Sequence, residues 1–162
     1  MTALVLTLAL LLPTALPRQA VWPLGPPRPE VVRGWEPPLF PYGPGHRGVD
    51  LAGRAGAEVR AAAAGRVLFA GQVAGRGVLV IALAGTGAPP LRTTYEPVRP
   101  MVRAGDPVRP GQTVATLAAG PSHCAGPCLH WGLLRADAYL NPLLLLPRAP
   151  SRLLPLSGTR SR

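Results

Sequence analysis

The residues of this sequence with the clearest potential for chemistry are its three histidines, His46, His123 and His130, and the aspartate four residues after the first, Asp50. Imidazole nitrogens and carboxylate oxygens are common ligands of metal ions in proteins. In an extended strand, however, residues four apart are separated by about 13 Å. His46 and Asp50 can therefore share an ion only if the chain turns or bulges near Gly48; otherwise they are an ordinary surface histidine beside a strand aspartate.

The last histidine lies in a segment, residues 128–133, whose alternation is typical of a strand. Alternation places Leu129, Trp131 and Leu133 on one face, where they can pack into a core, and His130 on the other. The neighbours of His130 on its own face are small, a cysteine and a glycine, which leaves room for an ion or a substrate. The alternative is a core histidine that is hydrogen bonded to the backbone.

Short β-like segments separated by turns must position these side chains. The 19 glycines and 22 prolines exclude a helical bundle, because both residues break helices. A closing turn of helix is predicted after Pro142. Strand composition is found at residues 66–70, 77–83, 92–98, 114–117 and 129–134. We therefore expect an all-β fold, either an antiparallel sheet or a small sandwich.

The chain divides into four regions by composition. Residues 4–12 form an apolar run of signal-peptide length, for which an ordinary buried helix is the alternative. This run predicts a signal peptide or anchor over residues 1–20, and hence a secreted or cell-wall-associated protein that meets a membrane only through this segment, if the segment stays uncleaved. Residues 21–44 are predicted as a Pro-rich linker, residues 45–146 as the folded domain, and residues 147–162 as a flexible tail.

The formal charge of +10 comes from arginine alone, since the sequence has 17 arginines and no lysine. An excess of positive charge favours anionic partners such as nucleic acid, anionic lipid or a cell-wall polymer. The arginines are scattered singly and are not interleaved with stacking aromatic residues. Nucleic acid is therefore not expected as a partner.

Six short motifs between residues 45 and 134 resemble, in their order, the lysostaphin-type (LytM-like) zinc endopeptidases. They are Gly-His-Arg-Gly-Val-Asp-Leu, Gly-Ala-Glu-Val-Arg-Ala, Ala-Gly-Arg-Val, Thr-Thr-Tyr, Gly-Asp-Pro-Val-Arg-Pro-Gly-Gln and Leu-His-Trp-Gly. The resemblance implies a two-sheet antiparallel β-sandwich, the duplicated hybrid motif, and cleavage of peptides in bacterial peptidoglycan. It also implies that His46, Asp50 and His130 bind Zn²⁺, which would polarise the scissile carbonyl and activate water. The partners expected are peptidoglycan peptides or another anionic wall polymer.

The sequence departs from this family at two positions. Cys128 stands where the family has the first histidine of its His-x-His motif, and Glu96 stands where it has a further catalytic histidine. One account is a peptidase with rearranged helpers, in which Glu96 is the general base and His123 supplies a proton. A second account is a weak or inactive zinc-retaining module that binds cell wall or regulates another wall hydrolase. In a third, Cys128 completes a four-ligand structural zinc site.

The two cysteines, Cys124 and Cys128, are separated by only three residues. In an exported protein such a pair favours a disulfide, and the glycine and proline between them allow the tight turn. So short a ring stabilises by only ~2 kcal/mol in the chain-entropy account. Its expected use is to hold the loop that carries His123 beside His130. The competing interpretation is a metal site or a reactive thiol pair.

Overall fold

Strands make up nearly all of the regular structure among the residues that the structure describes. The computed structural model describes residues 16–17, 19–40, 43–119 and 124–147. The strands are β1 (Val31–Arg33), β2 (Gly48–Ala52), β3 (Glu58–Arg60), β4 (Gly65–Val73), β5 (Arg76–Leu83), β6 (Leu91–Glu96), β7 (Val98–Pro100), β8 (Pro107–Val108), β9 (Thr113–Leu117), β10 (Cys128–Arg135) and β11 (Ala138–Leu140). A 3₁₀ turn over Pro142–Leu145 follows, at the position where the sequence predicts a closing helical turn.

The strands form two sheets, and every strand pair is antiparallel. The larger sheet has the order β1-β2-β10-β6-β5-β4-β8, with β11 paired to β10, and the smaller one has the order β3-β9-β7. The prediction of an all-β fold with two antiparallel sheets is therefore confirmed. Within the described residues, no helix is long and apolar enough to cross a membrane.

One predicted strand, residues 92–98, is divided between the two sheets. β6 ends at Glu96 in the larger sheet, and β7 begins at Val98 in the smaller one. Pro97 lies between them, and proline has no N–H to donate to a sheet ladder. The chain therefore leaves the larger sheet directly after Glu96, which places this residue at the end of its strand.

β6 and β10 each bury one face against the hydrophobic core. The side chains on their other face therefore point away from the core. Leu129, Trp131 and Leu133 of β10 are fully buried, as the predicted alternation requires. Tyr95 of β6 is also fully buried; its hydroxyl accepts hydrogen bonds from the Ala62 N–H and the Thr93 hydroxyl, each at 3.0 Å, and burial raises its pKa. The alternate residues of both strands therefore project from the opposite face.

Part of the predicted Pro-rich linker packs against the domain. The Ala52 N–H donates to the Glu30 carbonyl at 2.9 Å, and the Arg60 N–H donates to the Pro23 carbonyl at 2.8 Å. Trp22, in the same segment, lies against Trp131 with ring centroids 6.4 Å apart. These contacts make the segment before residue 37 an outer layer of the domain. The predicted signal segment, except residues 16–17 and 19–20, and the predicted tail after residue 147 lie outside the described residues.

Candidate metal centre

The side chains of His46, Asp50 and His130 converge at one point of the larger sheet. His46 Nε2 lies 3.1 Å from Asp50 Oδ1 and 3.1 Å from His130 Nδ1. His130 Nδ1 lies 2.8 Å from Asp50 Oδ1. One donor atom from each of the three residues therefore occupies a corner of a small triangle.

Strand pairing explains how residues 80 positions apart meet. β2 and β10 pair so that Asp50 lies directly opposite His130. Opposite residues of antiparallel neighbours project from the same face with their Cβ atoms about 5 Å apart. The chain before Asp50 is not extended over four residues: β2 begins only at Gly48, and His46 pairs instead with Glu36 in an isolated bridge. The chain changes direction before Gly48, and this brings the His46 ring close to the Asp50 carboxylate.

The dimensions and chemistry of the triangle fit a zinc ion. Zinc bonds to imidazole nitrogen and carboxylate oxygen are about 2.0–2.2 Å long, which places neighbouring ligand atoms in a tetrahedral site roughly 3.3 Å apart. The three separations, 2.8, 3.1 and 3.1 Å, are close to that value. Asp50 is fully buried and His46 is 4% exposed, whereas the His130 side chain is 13% exposed. Asp50 and His46 are therefore shielded from solvent, and the donor set is most accessible at His130.

A backbone carbonyl orients the first of the two imidazoles. His46 Nδ1 lies 2.6 Å from the carbonyl oxygen of Gly34, which can only accept a hydrogen bond. Nδ1 therefore carries the proton and donates it, and Nε2 keeps the lone pair that faces Asp50. Gly34 was not among the residues predicted for the site. No pattern in the sequence identifies a single carbonyl, and Gly34 lies in the segment predicted to be a linker.

The rim of the centre carries a paired arginine and glutamate from the same segment. Arg33 Nη2 lies 2.8 Å from Glu36 Oε2, and this hydrogen bond lowers the pKa of the Glu36 carboxyl. Both side chains are about half exposed, so the pair contributes little to stability. Its position matters more, because Glu36 is the residue whose backbone pairs with His46.

Glu96 lies on the same face as the metal triangle. It is directly opposite His130 on the other side of β10, so that Asp50, His130 and Glu96 form one row across three strands. Its carboxylate Oε1 is 3.5 Å from Nη1 of Arg76, and its side chain is 28% exposed. Glu96 and His130 line a common cleft of about 530 Å³. Arg76 is a further candidate functional residue that the sequence analysis missed, since nothing in its local sequence distinguishes it from the other scattered arginines.

The cysteine pair lies on the opposite side of the triangle. Cys124 and Cys128 are joined in a disulfide, with their Cα atoms 6.3 Å apart. Because both sulfurs are in this bond, Cys128 offers no thiolate, and the four-ligand structural site does not exist in this form of the protein. The pair and Asp50 line a second cleft of about 400 Å³. His123, the predicted proton donor, lies outside the described residues.

The ring of His130 packs directly over Gly48, which gives a prediction for the change Gly48→Ala. A Cβ atom at this position would lie 2.6 Å from His130 Nε2 and 2.6 Å from the Trp131 carbonyl oxygen. The ring can move but the backbone of β10 cannot do so without cost, so we expect a loss of about 1–3 kcal/mol in the free energy of unfolding. Zinc binding should also weaken, because the ring is pushed away from Asp50. Denaturant unfolding and zinc titration measure the two effects.

Gly34→Ala is the matched control for that variant. A Cβ atom at Gly34 meets no atom within 4 Å, and the substitution retains the carbonyl that accepts from His46. We expect it to change the free energy of unfolding by no more than about 0.5 kcal/mol. Equal stability and equal zinc affinity of Gly48→Ala and Gly34→Ala would contradict the packing described.

The sequence of the chain matches a known family and two mycobacterial proteins. Residues 44–142 match the model of peptidase family M23. The uncharacterized protein Rv2891 of Mycobacterium tuberculosis and the uncharacterized protein Mb2915 of Mycobacterium bovis are each 49% identical over 142 residues, or 85% of this chain. The match covers 55% of either relative, so the chain spans about half the length of the curated relatives it matches.

The fold is similar to those of several solved structures. A zinc containing peptidase from Vibrio cholerae superposes with a TM-score of 0.62 at 22% identity, over 84% of this chain and 41% of that chain. Csd3 of Helicobacter pylori superposes with a TM-score of 0.62 at 26% identity, over 85% of this chain and 36% of that chain. The catalytic domain of the antimicrobial peptidase lysostaphin from Staphylococcus simulans superposes with a TM-score of 0.60 at 22% identity. The match covers 72% of this chain and 90% of that chain. The two likenesses at 22% identity concern the fold alone.

Proposed function

Because this chain belongs to peptidase family M23, we propose that it is a zinc metalloendopeptidase that cleaves peptides of bacterial peptidoglycan. The observation that carries the proposal is the triangle of His46, Asp50 and His130, whose donor atoms lie 2.8–3.1 Å apart and of which His130 lines an open cleft. Two imidazoles and one carboxylate leave a fourth position open, which is the arrangement of a catalytic zinc site. Zinc held there would supply Lewis-acid polarisation of the scissile carbonyl and activation of water.

The protein's own groups prepare the centre for this chemistry. The Gly34 carbonyl holds His46 in the tautomer that presents Nε2, so the ligand needs no reorganisation before it binds. Asp50 and His46 are buried, so two of the three donors have little contact with water. His130, on the exposed side, is the donor of the triangle that lines the cleft in which a substrate would lie.

We propose Glu96 as the general base. It is adjacent to His130 in the strand register, and its carboxylate lines the cleft, where it can accept a proton from the attacking water. A carboxylate cannot donate a hydrogen bond to the developing oxyanion. Loss of one oxyanion donor typically lowers turnover by about 10²–10³-fold, so we expect low activity. His123 remains the proposed proton donor.

The cleft suggests that the substrate carries carboxylate groups. Arg47 and Arg76 both line it, and each carries a positive charge. The Arg47 guanidinium also lies 5.8 Å from the ring centroid of Tyr139, which gives it a defined place in the wall of the cleft. A positive cleft attracts acidic peptides, and this supports peptidoglycan peptides or another anionic wall polymer as the partner.

The second candidate function is a zinc-retaining module that binds cell wall or regulates another hydrolase. The observation that favours it is the contact between Glu96 Oε1 and Arg76 Nη1 at 3.5 Å, because this contact engages one of the two carboxylate oxygens that a general base would use. The zinc triangle is the same in both proposals. They differ in whether the Glu96 carboxylate can take a proton while substrate occupies the cleft.

We also propose that the protein works outside the cytoplasm. The Cys124–Cys128 disulfide supports this location, since such bonds persist in oxidising compartments. The apolar run at residues 4–12 supports it independently, as a signal peptide or anchor. Fractionation of the native host should place the protein in the secreted or cell-wall fraction.

Digestion of purified peptidoglycan tests the function directly. Zinc-loaded protein should release peptide fragments whose new termini, read by mass spectrometry, identify the bond cleaved. His46→Ala is the control, because it removes one donor of the triangle and leaves Glu96 and the cleft intact. If wild type releases fragments no faster than His46→Ala, the protein is a binding or regulatory module and the peptidase proposal fails.

A further inference from the structure

We propose that Cys124, Cys128 and Asp50 form a second metal-donor set, which becomes available when the disulfide is reduced. This inference rests on the proposed zinc centre, because the two donor sets share Asp50. The ligand would be a divalent ion that prefers thiolates, and zinc itself is the expected one. Reduction would thus convert an open zinc site into a closed one.

The geometry is given by two overlapping groups of donors. The ligand atoms of Asp50, Cys124 and Cys128 all lie within 4.8 Å of one another, and the same is true of those of Asp50, His46 and His130. Asp50 is opposite His130 in the strand register, and Cys128 is two residues before His130 on the same face of β10. The buried carboxylate is therefore located between an imidazole pair and a sulfur pair.

The reduction step needs a two-electron donor such as a dithiol. The S–S bond breaks, Cys124 and Cys128 take up the two electrons and two protons as thiols, and the reductant closes its own disulfide. Each cysteine that binds zinc then releases its proton, since the thiolate is the ligand. In a tetrahedral zinc site with Zn–S bonds of about 2.3 Å, two sulfurs would be roughly 3.8 Å apart. Residues 125–127 of the short loop are exposed, so this separation can form without displacing the core.

Access for the reductant comes through the cleft on the Asp50 side. Cys124 is partly exposed and lines this cleft, whereas Cys128 is 2% exposed at the start of β10. The sulfur of Cys124 is therefore the accessible point of attack.

The consequence follows from the coordination number of zinc. Among the described residues, the dithiol form has five donors in the two groups that share Asp50, and a tetrahedral zinc ion takes four ligands. Two thiolates added to Asp50 and one histidine fill all four places. The ion would be held more tightly, and the open position that a peptidase needs would be lost.

Cobalt(II) is the probe for the test, because its absorption spectrum identifies sulfur ligands. The oxidised protein should bind one cobalt ion per chain with the spectrum of nitrogen and oxygen ligands. A water-soluble phosphine, which is itself oxidised to the phosphine oxide and adds no thiol, then reduces the disulfide. We expect a sulfur-to-cobalt charge-transfer band in the near ultraviolet and, in competition with a chelator, roughly tenfold or greater tightening of zinc binding.

Three variants assign the ligands. Cys124→Ser and Cys128→Ser should each weaken the band, and the double variant should abolish it while it still binds cobalt through the histidines. His130→Ala should lose cobalt in the oxidised form and recover it with the sulfur band after reduction. Circular dichroism verifies that each variant retains the β-fold.

The outcomes separate the inference from the function on which it rests. If wild-type protein gives no charge-transfer band after complete reduction, the inference is wrong, whatever its activity. If the oxidised protein binds no cobalt but the band forms on reduction, the proposed catalytic centre fails and the sulfur-containing site stands. Unchanged zinc affinity on reduction would also overturn the inference.

Discussion

Replacement of His130 by alanine should reduce the zinc content of the oxidised protein from about one ion per chain to a small fraction of that. His130 Nδ1 is one corner of the donor triangle, and only two donors, His46 and Asp50, remain when it is removed. Loss of a partner that merely orients a ligand already lowers metal affinity by about 10–100-fold, so loss of the ligand itself should exceed roughly 100-fold. Metal analysis after dialysis against a weak chelator measures the effect.

Glu96→Gln is the control for zinc content, because Glu96 lines the same cleft and is not part of the triangle. Its zinc content should equal that of wild type. The free energy of unfolding, measured with and without zinc, distinguishes loss of the ion from loss of the fold: His130→Ala should resemble wild type when zinc is absent. Equal zinc in His130→Ala and wild type would rule out His130 as a ligand.

Glu96→Gln should lower peptidoglycan cleavage by about 100-fold or more, the usual contribution of a general base. Glutamine keeps the size of the side chain and its hydrogen-bonding capacity near Arg76 but cannot take up the proton. Zinc content and fold should be unchanged, so the loss would be in turnover. The rate of fragment release from cross-linked peptidoglycan, quantified by mass spectrometry, gives the comparison.

Two further variants make this prediction specific. Glu58→Gln removes an exposed carboxylate from the smaller sheet and should leave the rate of cleavage unchanged. His123→Ala should lower the rate less than Glu96→Gln does, since the proton that His123 would supply can also come from solvent. Full activity of Glu96→Gln would show that another group accepts the proton.

The strands and their faces were largely predictable from the sequence, because they depend on local composition. Alternation in residues 128–133 placed three apolar side chains in the core and His130 on the other face, as found. The break at Pro97 was not predicted. Composition alone continued the strand to residue 98, whereas the missing N–H of proline ends the ladder and sends the chain to the second sheet.

The candidate site was predictable only in part. The resemblance to a family of endopeptidases named His46, Asp50 and His130, and the structure brings one donor atom of each within hydrogen-bonding distance of the others. Their role as zinc ligands, like the roles of Glu96 and His123, stays a prediction. The same resemblance offered no sign of the Gly34 carbonyl or of Arg76, since their positions depend on which segments pack together.

The sequence by itself determined the class of fold, the residue types available for chemistry and the face on which His130 lies, because each follows from composition or from a period of two along one strand. The tertiary structure alone decided that Asp50 is opposite His130, that Glu96 completes the same row, and that the cysteine pair borders the same carboxylate. These relations depend on the register between β2, β10 and β6. Register is set by burying one face of each strand against a core built from distant segments, so no single segment of the chain encodes it.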